Sequence, residues 1–205
     1  RYTSSVDGYT ITNEFQKVAT GSYEIQATKT LLGKDLTDDS FTFQLLDSNQ
    51  ELLQTATCDA NGDITFEAID YTSEDFDDED EKTYTYYIRE VTGSESDIIY
   101  DTNLIEVNVT ATNNGSETLV FAQDVVPEFV NKSVHSLTVQ NQITGNMGNK
   151  TKEFHYTLTL TGDNVGETTI SYQKGDETST LTLTDGQYTF TLSHDERIIF
   201  SNIIS

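Results

Sequence analysis

Three polar side chains stand where a strand's alternation would turn them into an apolar core. Lys29 shares parity with Ile25, Ala27 and Leu31, Glu90 with Tyr84, Tyr86 and Ile88, and Asn131 with Phe129. Successive side chains of a strand point to opposite faces, so all three polar groups are expected to point inward. A lone buried Lys or Glu is expensive and is almost never left unpaired. Two solutions are open. One is a buried Lys29–Glu90 ion pair with the Asn131 amide hydrogen-bonded alongside. The other is chemical: burial lowers a lysine's pKa and raises a glutamate's, so the pair can exist as amine and acid. A neutral amine is a nucleophile and an amide carbon is an electrophile. Glu90 as general acid/base would then pass a proton to departing ammonia, leaving a Lys29–Asn131 isopeptide bond formed once and never turned over.

The elements needed to position these groups are strands. Thr, Val, Ile, Tyr and Phe alternate with polar residues over Tyr9–Phe15, Tyr23–Leu31, Phe41–Leu46, Ile64–Phe66, Thr83–Glu90, Leu104–Ala111 and Leu119–Gln123. The pattern resumes over Phe129–Asn131, Leu137–Ile143, Phe154–Leu160, Thr168–Tyr172, Thr180–Leu183, Gln187–Leu192 and Arg197–Phe200. Asp7-Gly8, Asn61-Gly62, Asn114-Gly115 and Asp185-Gly186 supply turn chemistry, and Pro127 suits a strand start or edge. No segment carries a helical period. Many short strands with regular turns predict tandem antiparallel β-sandwiches of immunoglobulin-like type.

Composition narrows the function classes. The 205 residues carry 11 Lys plus Arg against 35 Asp plus Glu, a net charge of −24. Nucleic acid and anionic membrane surfaces both need clustered cations, so neither is an expected partner. No apolar run is long enough to span a bilayer. Cys58 is the single cysteine, which excludes an internal disulfide and a cysteine zinc cluster, and it reads as a packing residue. His135, His155 and His194 have no metal or nucleophile–base spacing, so no metal and no cofactor is expected. The run Glu74–Lys82 lacks the spaced ligands of a calcium loop and reads as a solvated loop with Phe76 as its anchor.

Ala27-Thr-Lys29-Thr-Leu31-Leu-Gly33 followed by Phe41-Thr-Phe43-Gln-Leu45 resembles the opening of the pilin isopeptide-linkage family, the shaft (T-antigen type) subunits of Gram-positive pili. The resemblance continues through Asp59-Ala-Asn-Gly62-Asp-Ile64-Thr-Phe66, Tyr84-Thr-Tyr86-Tyr-Ile88-Arg-Glu90 and Ile99-Tyr100-Asp101. It closes with Val107-Asn-Val109 and Phe129-Val-Asn131, and so covers nearly all of Tyr23–Asn131. It implies that Lys29 and Asn131 are joined and that Glu90 is the catalytic group. These are the same three residues that strand parity selects. The acidic run just before the Tyr-x-Tyr strand departs from the family pattern.

Leu137-Thr-Val139-Gln-Asn141-Gln-Ile143 through Lys152-Glu-Phe154-His-Tyr156-Thr-Leu158 is similar to repeat domains of cell-wall-anchored proteins related to the collagen-adhesin B-type sandwich. Asn141 occupies the slot where relatives often place a lysine, so no isopeptide of the usual kind is expected there. The expected organisation is residues 1–17 as the last strand of a preceding domain or an N-terminal strand, with Asn13 in a cross-link position. A polar linker at Gln16–Ser22 and a break near Lys132–Ser136 are expected to separate the pieces, so that residues 18–132 form an isopeptide-linkage sandwich and 133–205 a second sandwich, incomplete at its C-terminus. The expected function is a stalk or shaft segment of an extracellular Gram-positive fibre, with neighbouring domains or subunits of the same fibre as partners. It is not a turnover enzyme. The alternative is an adhesin module that recognises a host protein or glycan through exposed loops such as Glu74–Lys82.

Overall fold

The computed structural model describes residues 2–15, 17–77, 79–162, 165, 169–181, 183 and 185–204. Gln16 of the expected linker, Asp78 of the acidic run, and Thr168 and Thr182 of two expected strands lie outside the described residues. Among the described residues the named elements are strands and a 3₁₀ turn at Ser73–Asp75. Contacts divide the chain into two compact units. The first is Arg1–Thr30, Leu36–Gly93 and Asp101–Phe129; the second is Leu31–Asp35, Ser94–Tyr100 and Val130–Ser205.

In chain order the strands are β1 (Tyr2–Asp7), β2 (Thr10–Phe15), β3 (Thr20–Tyr23), β4 (Gln26–Leu32), β5 (Thr42–Leu46) and β6 (Leu52–Thr57). Next come β7 (Asp63–Thr65), β8 (Ile69–Thr72), β9 (Glu81–Glu90), β10 (Ile98–Ile99), β11 (Leu104–Thr112) and β12 (Val120–Gln123). The last six are β13 (Glu128–Gln140), β14 (Phe154–Thr159), β15 (Ile170–Lys174), β16 (Glu177–Leu181), β17 (Gln187–Leu192) and β18 (Arg197–Ile204).

In the first unit a five-stranded antiparallel sheet runs in the order β12-β11-β9-β5-β6. Its inward residues Phe43, Leu45, Tyr86, Ile88, Val107, Val109 and Ala111 are buried, as alternation requires. Opposite them, β4 pairs with β7 through Ala27↔Ile64 and buries Ala27, with Ile25 buried just before the strand. The start of β13 closes that side. Thr28 N–H donates to Pro127 O at 2.7 Å, and the Phe129 ring meets Phe43 with centroids 5.3 Å apart. Strands β3 and β8 pair separately, and Tyr71 of β8 meets Tyr86 of β9 hydroxyl to hydroxyl at 2.9 Å.

The acidic run is tethered as expected. Phe76 is buried beneath the 3₁₀ turn, and Lys82 Nζ donates to Asp75 O at 2.6 Å. Truncating such a ring removes a large buried area and leaves a cavity. Phe76→Ala is therefore expected to cost about 3–5 kcal/mol, read as a lower urea midpoint. A midpoint within error of the parent would show that the loop is not anchored there.

Two expectations change. The segment before Gly8 is a strand, because β1 and β2 form a hairpin whose register runs from Tyr2↔Phe15 to Asp7↔Thr10. Gly8, at φ 60°, takes the left-handed conformation that the two-residue Gly8-Tyr9 turn demands. The break expected near Lys132–Ser136 is instead strand, since β13 runs unbroken from Glu128 to Gln140. Ile98↔Ser133 and Ile99↔Lys132 pair one edge of that stretch, and Val134↔Ile204 pairs the other. Hydrogen bonding on both edges holds a polar segment extended that its side chains alone would not.

In the second unit the order is β16-β15-β18-β13, with β10 on the far side of β13, and β14 pairs with β17. Leu158, Ile170, Leu192, Ile198 and Phe200 form its core, with Tyr156, Tyr188 and Phe190 packed against them. Asn141 is buried there. Its Nδ2 donates to Leu192 O at 3.2 Å and to Ser193 O at 3.0 Å. Removing both donors strands two carbonyls, so Asn141→Ala is expected to cost about 1–3 kcal/mol. Calorimetry should show the second unit's transition lowered and the first unit's unchanged; an unshifted second transition would show that the amide carries no load.

Candidate functional site

The site is built on β4 and β9. Lys29 follows Ala27 on the inward face of β4, in line with the buried Ile25 just before the strand, and Glu90 closes the inward row Tyr86, Ile88 of β9. Strand β5 fixes the height of Glu90, because Phe43 and Glu90 are direct cross-strand partners. The two charged groups meet: Lys29 Nζ donates to Glu90 Oε2 at 2.8 Å, and both side chains are wholly withdrawn from solvent. Aromatic rings wall the ammonium. The Phe41 centroid lies 4.8 Å from Nζ and the Phe43 centroid 6.0 Å away.

This environment sets the electrostatics. Burial among aromatic rings pushes the Lys29 pKa below the ordinary lysine value. The Glu90 hydrogen bond and charge, and the more distant Asp101 and Cys58, act in the opposite direction without reversing it. A lysine whose charged form is disfavoured, touching a carboxylate able to take its proton, is primed to become a nucleophile. Water is kept from the pair, so the amine does not lose its reactivity to hydration.

The structure thus brings two of the three expected residues, Lys29 and Glu90, into contact. Asn131 is placed by its own strand. It is fully buried two residues beyond Phe129, on the inward parity of β13. Cys58 is a buried packing residue. His194 Nδ1 accepts from Ile143 N–H at 2.9 Å, and its Nε2 lies 3.2 Å from the Asp195 carboxylate, while His135 and His155 are exposed. Among the described residues no group of three His, Cys, Asp or Glu could hold a metal, and no helix is long and apolar enough to cross a membrane. Sequence reasoning missed the role of Phe41 as a wall of the site. The Phe41-Thr-Phe43 alternation carried that signal, since it places both rings on one face.

A family model described as a Spy0128-like isopeptide containing domain matches residues 25–134. A domain of unknown function (DUF7601) matches residues 135–205. No curated protein matches the sequence. Among solved structures, the chain is similar to the major pilin protein T3.2 from Streptococcus pyogenes at 18% identity, covering 90% of this chain and 80% of that one, with a TM-score of 0.37. Another major pilin from Streptococcus pyogenes matches at 16% identity, over 93% and 79% of the two chains, with a TM-score of 0.35. BcpA, the major pilin subunit of Bacillus cereus, matches at 13% identity over 88% of this chain and 57% of that one, with a TM-score of 0.38.

Proposed function

Because the chain belongs to the family of Spy0128-like isopeptide containing domains, we propose that its first sandwich locks itself with a Lys29–Asn131 isopeptide bond formed with the help of Glu90. The observation that carries the reading is the Lys29–Glu90 contact at 2.8 Å with both side chains out of solvent. The strand parity that buries Asn131 and the family match over residues 25–134 support it.

The steps balance. The Lys29 ammonium passes a proton to the Glu90 carboxylate, giving amine and carboxylic acid. Lys29 Nζ adds to Asn131 Cγ while the acid hydrogen-bonds to the amide oxygen, which takes up the developing charge. Glu90 then relays a proton from Nζ to Nδ2, the Cγ–Nδ2 bond breaks, and ammonia leaves. One proton remains, on Glu90 or on the departing ammonia. The reaction consumes the amine and the amide, so it occurs once per chain.

The product makes the chain a structural segment of a Gram-positive pilus or surface stalk, located outside the cell, with neighbouring subunits or domains of the same fibre as its partners. A bond joining β4 to β13 closes a loop of about a hundred residues, worth roughly 4.7 kcal/mol by the chain-entropy estimate used for disulfides. It also puts a covalent bond, instead of a hydrogen-bond ladder, in the path of a load applied at the chain ends.

Single-molecule pulling tests this role. The parent chain is expected to release no length from between Lys29 and Asn131. Asn131→Ala should release roughly 340 Å more, the contour of about a hundred extended residues. Equal extension of the two chains would overturn the reading.

A further inference from the structure

The Asn61-Gly62 turn does more than reverse the chain. Beyond the paired stretch Gln26↔Thr65 to Thr28↔Asp63, Lys29 N–H donates to Gly62 O at 2.7 Å, so Gly62 stands directly against the main chain of Lys29. Gly62 has φ 90°, and a Cβ there would fall 2.1 Å from Lys29 O and 3.2 Å from its carbonyl carbon, with Leu36 Cδ1 3.3 Å away. A carbon needs about 3.5 Å from such an atom, so one of the two backbones would have to move by more than about 1 Å.

The turn is held by its own hydrogen bonds and by Asp38. The Asp59 carboxylate accepts Asn61 N–H at 2.8 Å, Asp63 N–H at 2.9 Å and Asn61 Nδ2 at 3.1 Å. Gly62 N–H donates to Asp59 O at 3.1 Å, Asp59 N–H to Asp63 O at 3.0 Å, and Ala60 N–H to the Asp38 carboxylate at 2.8 Å. Any side chain at 62 is therefore forced against the peptide from which the Lys29 side chain springs. A reacting group tolerates only about 0.5 Å of misplacement.

Building on the cross-link reading above, we propose that Gly62 is a positioning residue for the Lys29 nucleophile. Its missing Cβ lets the turn clamp the Lys29 peptide at the depth from which Nζ reaches Glu90.

Gly115 provides the matched control, since its φ is 85° but an added Cβ meets nothing within 4 Å. The experiment follows ammonia loss by intact mass after refolding, in the parent, Gly62→Ala and Gly115→Ala. In an Asn131→Ala background, where no bond can form, NMR reads the titration of the Lys29 amine. We expect Gly115→Ala to match the parent and Gly62→Ala to slow cross-linking on the order of 100-fold, the cost of an ångström-scale misplacement. The Lys29 titration should move in Gly62→Ala and stay in Gly115→Ala; a purely structural role would leave it in place in both.

Cross-linking at the parent rate in Gly62→Ala, or an unmoved titration, overturns the proposal. A parent that never loses ammonia overturns the cross-link itself, a distinct result. Should Gly62→Ala fail to fold, Asp59→Ala unlocks the turn without adding an atom near Lys29. Slowed cross-linking with a moved titration then supports the clamp, and parent behaviour in both assays overturns it.

Discussion

Glu90→Ala is expected to leave the chain at its full unmodified mass, with Lys29 and Asn131 unjoined. Without the carboxylate at 2.8 Å the Lys29 proton loses the acceptor it touches, and general acid/base help of this kind is worth about 10²–10⁴ in rate. The substitution also leaves an ammonium buried among Phe41 and Phe43 without its partner. Breaking a buried pair from one side costs about 3–5 kcal/mol. The fold should survive at lower thermal stability, because the strands that carry the site are paired independently of it. Glu90→Gln, which keeps the volume, should retain more stability yet remain unlinked. Cross-linking of either variant at the parent's rate would remove Glu90 from the chemistry.

The second large effect is expected from Lys29→Ala, which deletes the nucleophile. The loss of a covalent loop worth roughly 4.7 kcal/mol should lower the melting temperature of the first unit by about 20–35 °C, at about 4–8 °C per kcal/mol for a domain near a hundred residues. Trypsin should then cut the first unit at temperatures where the parent resists. Lys29→Ala also breaks the ion pair with Glu90, so Asn131→Ala is the cleaner measure of the bond, because it leaves that pair whole. Unchanged melting and protease resistance in both variants would show that no bond stabilises the parent.

The inward placement of Lys29, Glu90 and Asn131 was legible because burial and period two coincide on β4, β9 and β13. A lysine in the row Ile25, Ala27, Leu31 or a glutamate ending the row Tyr84, Tyr86, Ile88 is visible without coordinates. The all-β class was legible for the same reason, and so were the turns at Gly8, Gly62, Gly115 and Gly186, each with positive φ. Other elements carry no such signal. Strand β1 has no apolar alternation and is extended because β2 folds back on it; β6 exposes Leu52 and Leu53 and is held by its pairing with β5. The continuity of β13 through Lys132–Ser136 depends on β10 and β18, partners remote in sequence. The clamp on Lys29 was hidden likewise. Asn61-Gly62 announces a turn, while the atom it presses against lies 33 positions earlier, which no spacing rule reaches.

The most direct test of the central claim is the intact mass of the parent chain with its peptide map. The account predicts a deficit of one ammonia and a single branched peptide joining Lys29 to Asn131. A full mass, with those two residues in separate peptides, would contradict it and leave Lys29 and Glu90 as a buried ion pair.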